Sequence, residues 1–253
     1  MSGNKDAQQR TRDRWERILG SPLSGAYLTE LYWLARDTVE TCDAVFSAAA
    51  PPPDQTSSYI KVDHVLQANI YRILNNAARI RALVKDRPRR EHQQSAAQYA
   101  IQEQRTHWLS TVVTGIDLSE VAHARVRNSL EHFDEYLDQT ALRFSEASIT
   151  GRALLPFDMT LGRDGSLDQF ADGGSVYPLR VYLAEERIFV NCGHKVDLGK
   201  IATECLEVVD RLTELVPTIA QDDSPTSRER GSSMIVLTST SFGEGGEGGR
   251  LRQ

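Results

Sequence analysis

Residues 59–84 read YIKVDHVLQANIYRILNNAARIRALV, in which Tyr59, Val62, Leu66, Ile70, Ile73, Ala77, Ile80 and Val84 recur at steps of three and four. That period places all eight on one side of an α-helix, so the stretch predicts a helix with one face turned to a core. Ser57 or Ser58 is placed to cap it by accepting a hydrogen bond from its first free N–H groups. Upstream, Leu28, Leu31, Ala35, Val39, Cys42 and Val45 repeat the pattern over residues 26–48. Pro51-Pro52-Pro53 ends that helix, because proline has no N–H to donate and restricts the residue before it. Residues 1–24 read as a charged leader.

Downstream, Lys85 to Glu91 is a basic loop interrupted by Pro88. A third helix is expected from about Gln94 to Val113, with Tyr99, Ile101 and Trp108 along it. A fourth is expected from Ser119, its cap, through residue 147. After Gly151 the texture changes. Leu154, Leu155, Phe157 and Met159 look strand-like, and Arg163 to Ser166 reads as a turn. Leu179, Val181 and Leu183 alternate with Arg180 and Tyr182, as a half-buried strand requires. Glu185-Glu186 is the next turn, and Ile188 to Cys192 the return strand. A last helix is expected from Asp197, its cap by residue type, to Val216, with Leu198, Ile201, Cys205, Val208, Leu212 and Leu215 on one face. The fold expected is mainly α: a bundle of four or five helices with a small antiparallel β insertion, at about 150–196, before the last helix. The domain spans 25–216, and 217–253, rich in Ser, Thr, Asp and Gly, reads as a disordered tail. The GEGGEG run at Gly243 to Gly248 matches a dinucleotide fingerprint formally. Only five residues follow it, too few for a βαβ unit.

The chain has 253 residues, 40% of them hydrophobic and 25% charged, with a formal charge of −6. This balance suits a soluble globular protein and argues against wholesale coating of nucleic acid, though not against a local basic site. Cys42, Cys192 and Cys205 are odd in number and far apart, so neither a disulfide framework nor a zinc site is expected. Each reads as a small apolar residue in a reducing compartment. No apolar leader or membrane span is expected, and the localisation read from these features is cytoplasmic.

Within the fourth helix, setting Leu130 at zero and advancing about 100° per residue places Val126, Leu130, Phe133, Leu137, Ala141 and Phe144 in one compact stripe. Asn128 and His132 fall at about 160° and 200°, nearly opposite, while Arg127 flanks the stripe at about 60°. A solvated face is the plain explanation. Asn is nevertheless a poor residue mid-helix, and Arg, Asn and His together offer a fixed cation, an amide and a group that titrates near neutrality. The basic run Arg79, Arg81, Lys85, Arg87, Arg89 and Arg90 could rim a phosphate site. A solvated helix end, with cations favoured by the dipole, explains it equally well. Trp33 and Trp108 are expected in the core rather than as stacking platforms, and His64, His92, His107, His123 and His194 as structural or surface residues.

The string Arg127-Asn128-Ser129-Leu130-Glu131-His132, R-N-x-x-x-H on a late helix, resembles the signature of the HEPN superfamily (higher eukaryotes and prokaryotes nucleotide-binding domains). The following Phe133-Asp134-Glu135-Tyr136-Leu137-Asp138 also resembles bacterial members. The likeness implies a HEPN-like bundle and a metal-independent endoribonuclease of toxin–antitoxin or phage-defence type, with no cofactor. Arg127, Asn128 and His132 would be catalytic. His132 would act as base or acid for attack of a ribose 2′-OH, Arg127 would hold the phosphate, and Asn128 would orient either. The implied partners are RNA, a second copy of the chain, and an antitoxin or nucleotidyltransferase. Arg127 and His132 lie about 140° apart on a straight helix. A two-fold dimer would bring Arg127 of one chain to His132 of the other; a kink in the helix, or a helix that begins near Arg127, would equally bring the two together. The second reading is a non-catalytic module that binds a nucleotide or serves as a scaffold. Glu131 and Glu135, which repel phosphate, favour it.

Overall fold

The computed structural model describes residues 22–50, 63–85, 95–123, 132–149, 155–158, 160–162, 176–216 and 219–220. Helix α1, Pro22–Ala48, starts earlier than its apolar repeat and takes in the end of the expected leader. Proline suits a first turn because its missing N–H would have no partner there. Helix α2, His64–Val84, is capped by Asp63, whose carboxylate accepts from the N–H groups of Val65 and Leu66 at 2.9 and 3.1 Å. The expected cap at Ser57 or Ser58 is therefore corrected. Those serines, with Tyr59 and Val62, lie outside the described residues. Helix α3, Ala96–Val112, opens with a capping box in which Ser95 and Gln98 satisfy each other's free N–H groups.

The core lies where α1 and α2 meet the last helix, α5, Leu198–Leu215. Leu66, Ile70, Ile73, Ala77, Ile80 and Val84 of α2 are all buried, as are Leu198, Ile201, Cys205, Val208 and Leu212 of α5. Each fully buried aliphatic side chain of this kind contributes about 1.5–3 kcal/mol. Leu215, expected on the same face, is 55% exposed because it falls at the helix end. Asp197 caps α5 as expected, accepting from Lys200 N–H at 2.8 Å. The three cysteines are free and buried. Burial pushes the Cys42 thiol up to about 12, which keeps it protonated and inert. Ile219 and Ala220 pack against the core, so the folded unit reaches past the boundary expected at 216.

Among the described residues between α3 and α5 come helix α4, Phe133–Ile149, and six short strands: β1 Leu155–Phe157, β2 Thr160–Gly162, β3 Val176–Pro178, β4 Arg180–Leu183, β5 Ile188–Asn191 and β6 His194–Asp197. Strands β4, β5 and β6 form an antiparallel meander, pairing Val181 with Val190 and Phe189 with Val196. Strand β2 adds to β4 in parallel, and β1 pairs β3 in parallel, neither of which the alternating pattern foretold. Strand β6 was not expected. Val196 is its single apolar residue, and backbone pairing rather than side-chain pattern defines it. Tyr182, Phe189 and Val196 face the helical core, while Val181, Leu183 and Val190 make a second small cluster. The strand read as half-buried is thus buried on both faces. Cys192 and Gly193 join β5 to β6 with φ of 47° and 86°, the left-handed pair a tight hairpin needs.

The fourth helix is corrected at its start. Residues 119–122 form a turn, residues 124–131 lie outside the described residues, and the helix runs from Phe133. Ser119 is not a helix cap. Its N–H and hydroxyl both donate to Asp117, each at 3.0 Å. The turn is instead held from α5. Glu204, 3% exposed, accepts the N–H groups of Glu120 and Val121 at 2.9 and 2.8 Å. In return, Glu120 accepts from the Asp197 N–H at 3.1 Å. The expected turn at Arg163 to Ser166 and most of the expected tail lie outside the described residues.

Candidate functional site

His132 stands immediately before α4, and its carbonyl accepts the Tyr136 N–H at 3.0 Å. Its ring Nδ1 lies 3.1 Å from Glu135 Oε1, with the imidazole 45% exposed. An ionised carboxylate only accepts, so this contact places a proton on Nδ1; in the neutral ring Nε2 is then the acceptor. A neutral imidazole oriented by a carboxylate is equipped to take a proton. Arg127 and Asn128 lie outside the described residues, as do Arg87, Arg89 and Arg90.

The face that α4 turns inward is not the apolar stripe. Phe133, Tyr136, Phe144 and Ala147 are half-buried and Thr140 is buried, whereas Ala141 is exposed and Leu137 is 37% exposed. On the scale used above, this face centres near −80°, a rotation of about 60° from the expected stripe. His132 then sits about 80° from the inward face, on its flank rather than opposite it. Ring and polar contacts set the rotation. Tyr136 meets His194 of β6 with ring centroids 4.6 Å apart, and the Arg180 guanidinium lies 4.9 Å from the Phe133 ring centroid. The buried Thr140 hydroxyl donates to the Tyr136 carbonyl at 2.7 Å. Tyr136, Thr140 and Arg143 line a cavity of about 390 Å³ with Cys192, Gly193 and His194.

Arg180 joins this helix to the rest of the molecule. It grips Asp158 with two donors, reaches the Tyr71 hydroxyl of α2 at 3.0 Å, and covers Phe133. Its side chain is 13% exposed, and the bonds to Asp158 hold its pKa above the usual arginine value. Burial also pushes the Cys192 thiol up, which argues against its use as a nucleophile. The Arg180–Asp158 pair and the Tyr136–His194 contact were not foreseen, because neither residue type nor spacing signals a pairing between distant segments.

The expected basic rim is only partly assembled. Arg79 is bound to Glu30 of α1, Arg81 is half-buried, and Lys85 is exposed at the end of α2. Tyr71, which anchors Arg180, lies about 21 Å along α2 from Lys85 at 1.5 Å per residue. Trp108 packs partly buried against the core, but Trp33, expected there too, is 52% exposed. The angular arithmetic contained that answer: Trp33 falls about 200° from Leu31 on α1.

Among the described residues, no group of three or more His, Cys, Asp or Glu converges to hold a metal ion, and no helix is long and apolar enough to cross a membrane. No family model, no curated protein and no solved structure matches this chain.

Proposed function

We propose that this chain is a HEPN-like, metal-independent endoribonuclease of toxin–antitoxin or phage-defence type, acting in the cytoplasm as a homodimer. The observation that carries the reading is the His132–Glu135 pair, which orients the imidazole of the motif that begins at Arg127. Nε2 takes the proton of a ribose 2′-OH, and the oxygen attacks the adjacent phosphorus. The bond to the 5′-oxygen breaks, and the proton held by His132 passes through solvent to that oxygen, leaving a 2′,3′-cyclic phosphate and a 5′-hydroxyl end. General base catalysis of this kind supplies about 10²–10⁴-fold. Arg127 of the partner subunit binds the phosphate and stabilises the charge that builds on it, and Asn128 orients it. Glu135 fixes the ring and the tautomer, so it is a positioning residue.

The test is incubation of the purified protein with RNA in the presence of chelator, beside His132→Ala. RNA should be cut by the parent chain and left intact by the variant. RNA left intact by both, or cut equally by both, would exclude the mechanism. One observation favours the second reading, a non-catalytic interaction module: Leu142 and Ile149 of α4 are 66% and 83% exposed. Uncovered apolar side chains suit a partner such as an antitoxin or a scaffold. A folded parent chain that leaves RNA intact but captures a second protein through α4 would support that reading.

A further inference from the structure

The face of α1 opposite the core, together with α2, forms a groove of about 420 Å³ lined by Trp33, Glu30, Asp37, Arg72, Asn76 and Arg79 among others. That volume lies within the roughly 300–1,000 Å³ of small-molecule sites. We propose that this groove binds a nucleoside monophosphate unit, its base on the Trp33 indole and its phosphate on Arg79. The unit is either a free nucleotide or one nucleotide of an RNA strand. His132 does not line this groove, and the proposal stands whether or not His132 cleaves RNA.

Three features fit the two halves of this ligand. A 52% exposed indole on a polar groove is an unused stacking surface, since every base has a π-face to lay on it. Beside it, Asp37 binds Arg72 through two donors and also accepts from the Asn76 amide at 2.8 Å. One carboxylate thus fixes a guanidinium and an amide in place before any ligand arrives, and an amide is the group that reads the edge of a base. Arg79 differs from Arg72. It is bound to Glu30 through one donor, with the two side chains 58% and 44% exposed. An exposed pair of that kind is worth only about 0–1 kcal/mol, so a phosphate can displace Glu30 and take charge-assisted bonds from Arg79. The carboxylates and guanidiniums lining the groove balance in charge, which suits a monophosphate better than a polyphosphate.

Calorimetric titration of the full chain tests this with adenosine, AMP and a short single-stranded 2′-O-methyl oligoribonucleotide that 2′-OH attack cannot cleave. AMP, the oligomer, or both should bind. Binding by AMP marks a free-nucleotide site, and binding by the oligomer alone marks a strand subsite. Trp33→Leu, which keeps bulk without a π-face, should weaken binding at least about tenfold, while Trp33→Phe should retain most of it. Arg79→Gln should weaken binding about tenfold. Glu30→Gln, which removes the competitor for Arg79, should tighten it about two- to fivefold. Adenosine should feel the Trp33 changes and ignore the Arg79 change. Thermal melting confirms that each variant is folded. Absence of binding by AMP and oligomer alike, or unchanged binding in folded Trp33→Leu, would overturn the proposal. Trp33-dependent binding by a chain that leaves RNA uncut would sink the nuclease reading alone.

Discussion

Helices α4 and α5 have nearly the same length, 17 and 18 residues, and each carries apolar residues at helical spacing. Helix α5 buries Leu198, Ile201, Cys205, Val208 and Leu212, whereas the one fully buried residue of α4 is Thr140. The difference lies in what each helix packs against. Helix α5 is wedged against α1 and the inner face of the sheet, so its stripe is covered along its length. Helix α4 is held by Tyr136 on His194 and by Phe133 under Arg180, and those contacts turn it away from its own stripe. Periodicity shows which side of a helix is apolar. Whether that side is inward depends on neighbours that periodicity does not see. Held by ring and charge contacts, α4 keeps apolar surface to spare at Leu142 and Ile149.

The largest expected effect comes from α5. Leu212→Ala should lower unfolding free energy by about 2–5 kcal/mol, since it leaves a cavity in a closed core. Leu142→Ala in α4 should change it by less than about 0.5 kcal/mol. Urea denaturation of the two variants checks this, and equal losses would dissolve the contrast.

A smaller effect is expected at the clip between α5 and the turn before the motif. Glu204→Ala strands the N–H groups of Glu120 and Val121 and should cost about 1–3 kcal/mol. Burial raises the Glu204 pKa above the ordinary glutamate value, although those N–H groups pull it partly back. The folded chain therefore holds this proton at a pH where the unfolded chain has lost it. The contribution of Glu204 to stability is then greatest below the ordinary value and falls as pH rises through the folded value. Melting of the parent chain against Glu204→Gln across mildly acidic pH should show the parent gaining relative stability as pH falls. The opposite slope would mean that the hydrogen bonds outweigh the burial.

The smallest effect is expected at the hairpin. Cys192→Asn replaces a residue ill suited to positive φ with one that tolerates it, and should stabilise by about 0.5–1 kcal/mol. Thermal melting reads this directly, and a loss would mean that the thiol makes packing contacts worth more than the strain.

Much of the helical frame was legible in the sequence. The stripes of α1, α2 and α5, the Asp197 cap and the end of α3 follow from local chemistry, and local chemistry decides them. The Trp33 position was legible too, had the arithmetic applied to His132 been applied to α1. What escaped was non-local. Strand β6 exists because β5 lies beside it, Arg180 finds Asp158 across an intervening segment, and Glu204 reaches back to Glu120 across α4 and the strands. At the candidate site, His132 was legible as a residue outside the core. Its pairing with Glu135 accords with a spacing of three, while its angle to the inward face depends on contacts from the sheet.

The shared cleft is tested most directly by mixing two inactive chains. Arg127→Ala and His132→Ala should each abolish RNA cleavage alone. In a mixed dimer, one site then combines the intact Arg127 of one chain with the intact His132 of the other. After co-refolding in equal amounts, cleavage should return to about a quarter of the parent activity, because half the dimers are mixed and each holds one complete site. A mixture that stays inactive while its chains are folded and dimeric would contradict the shared cleft at His132.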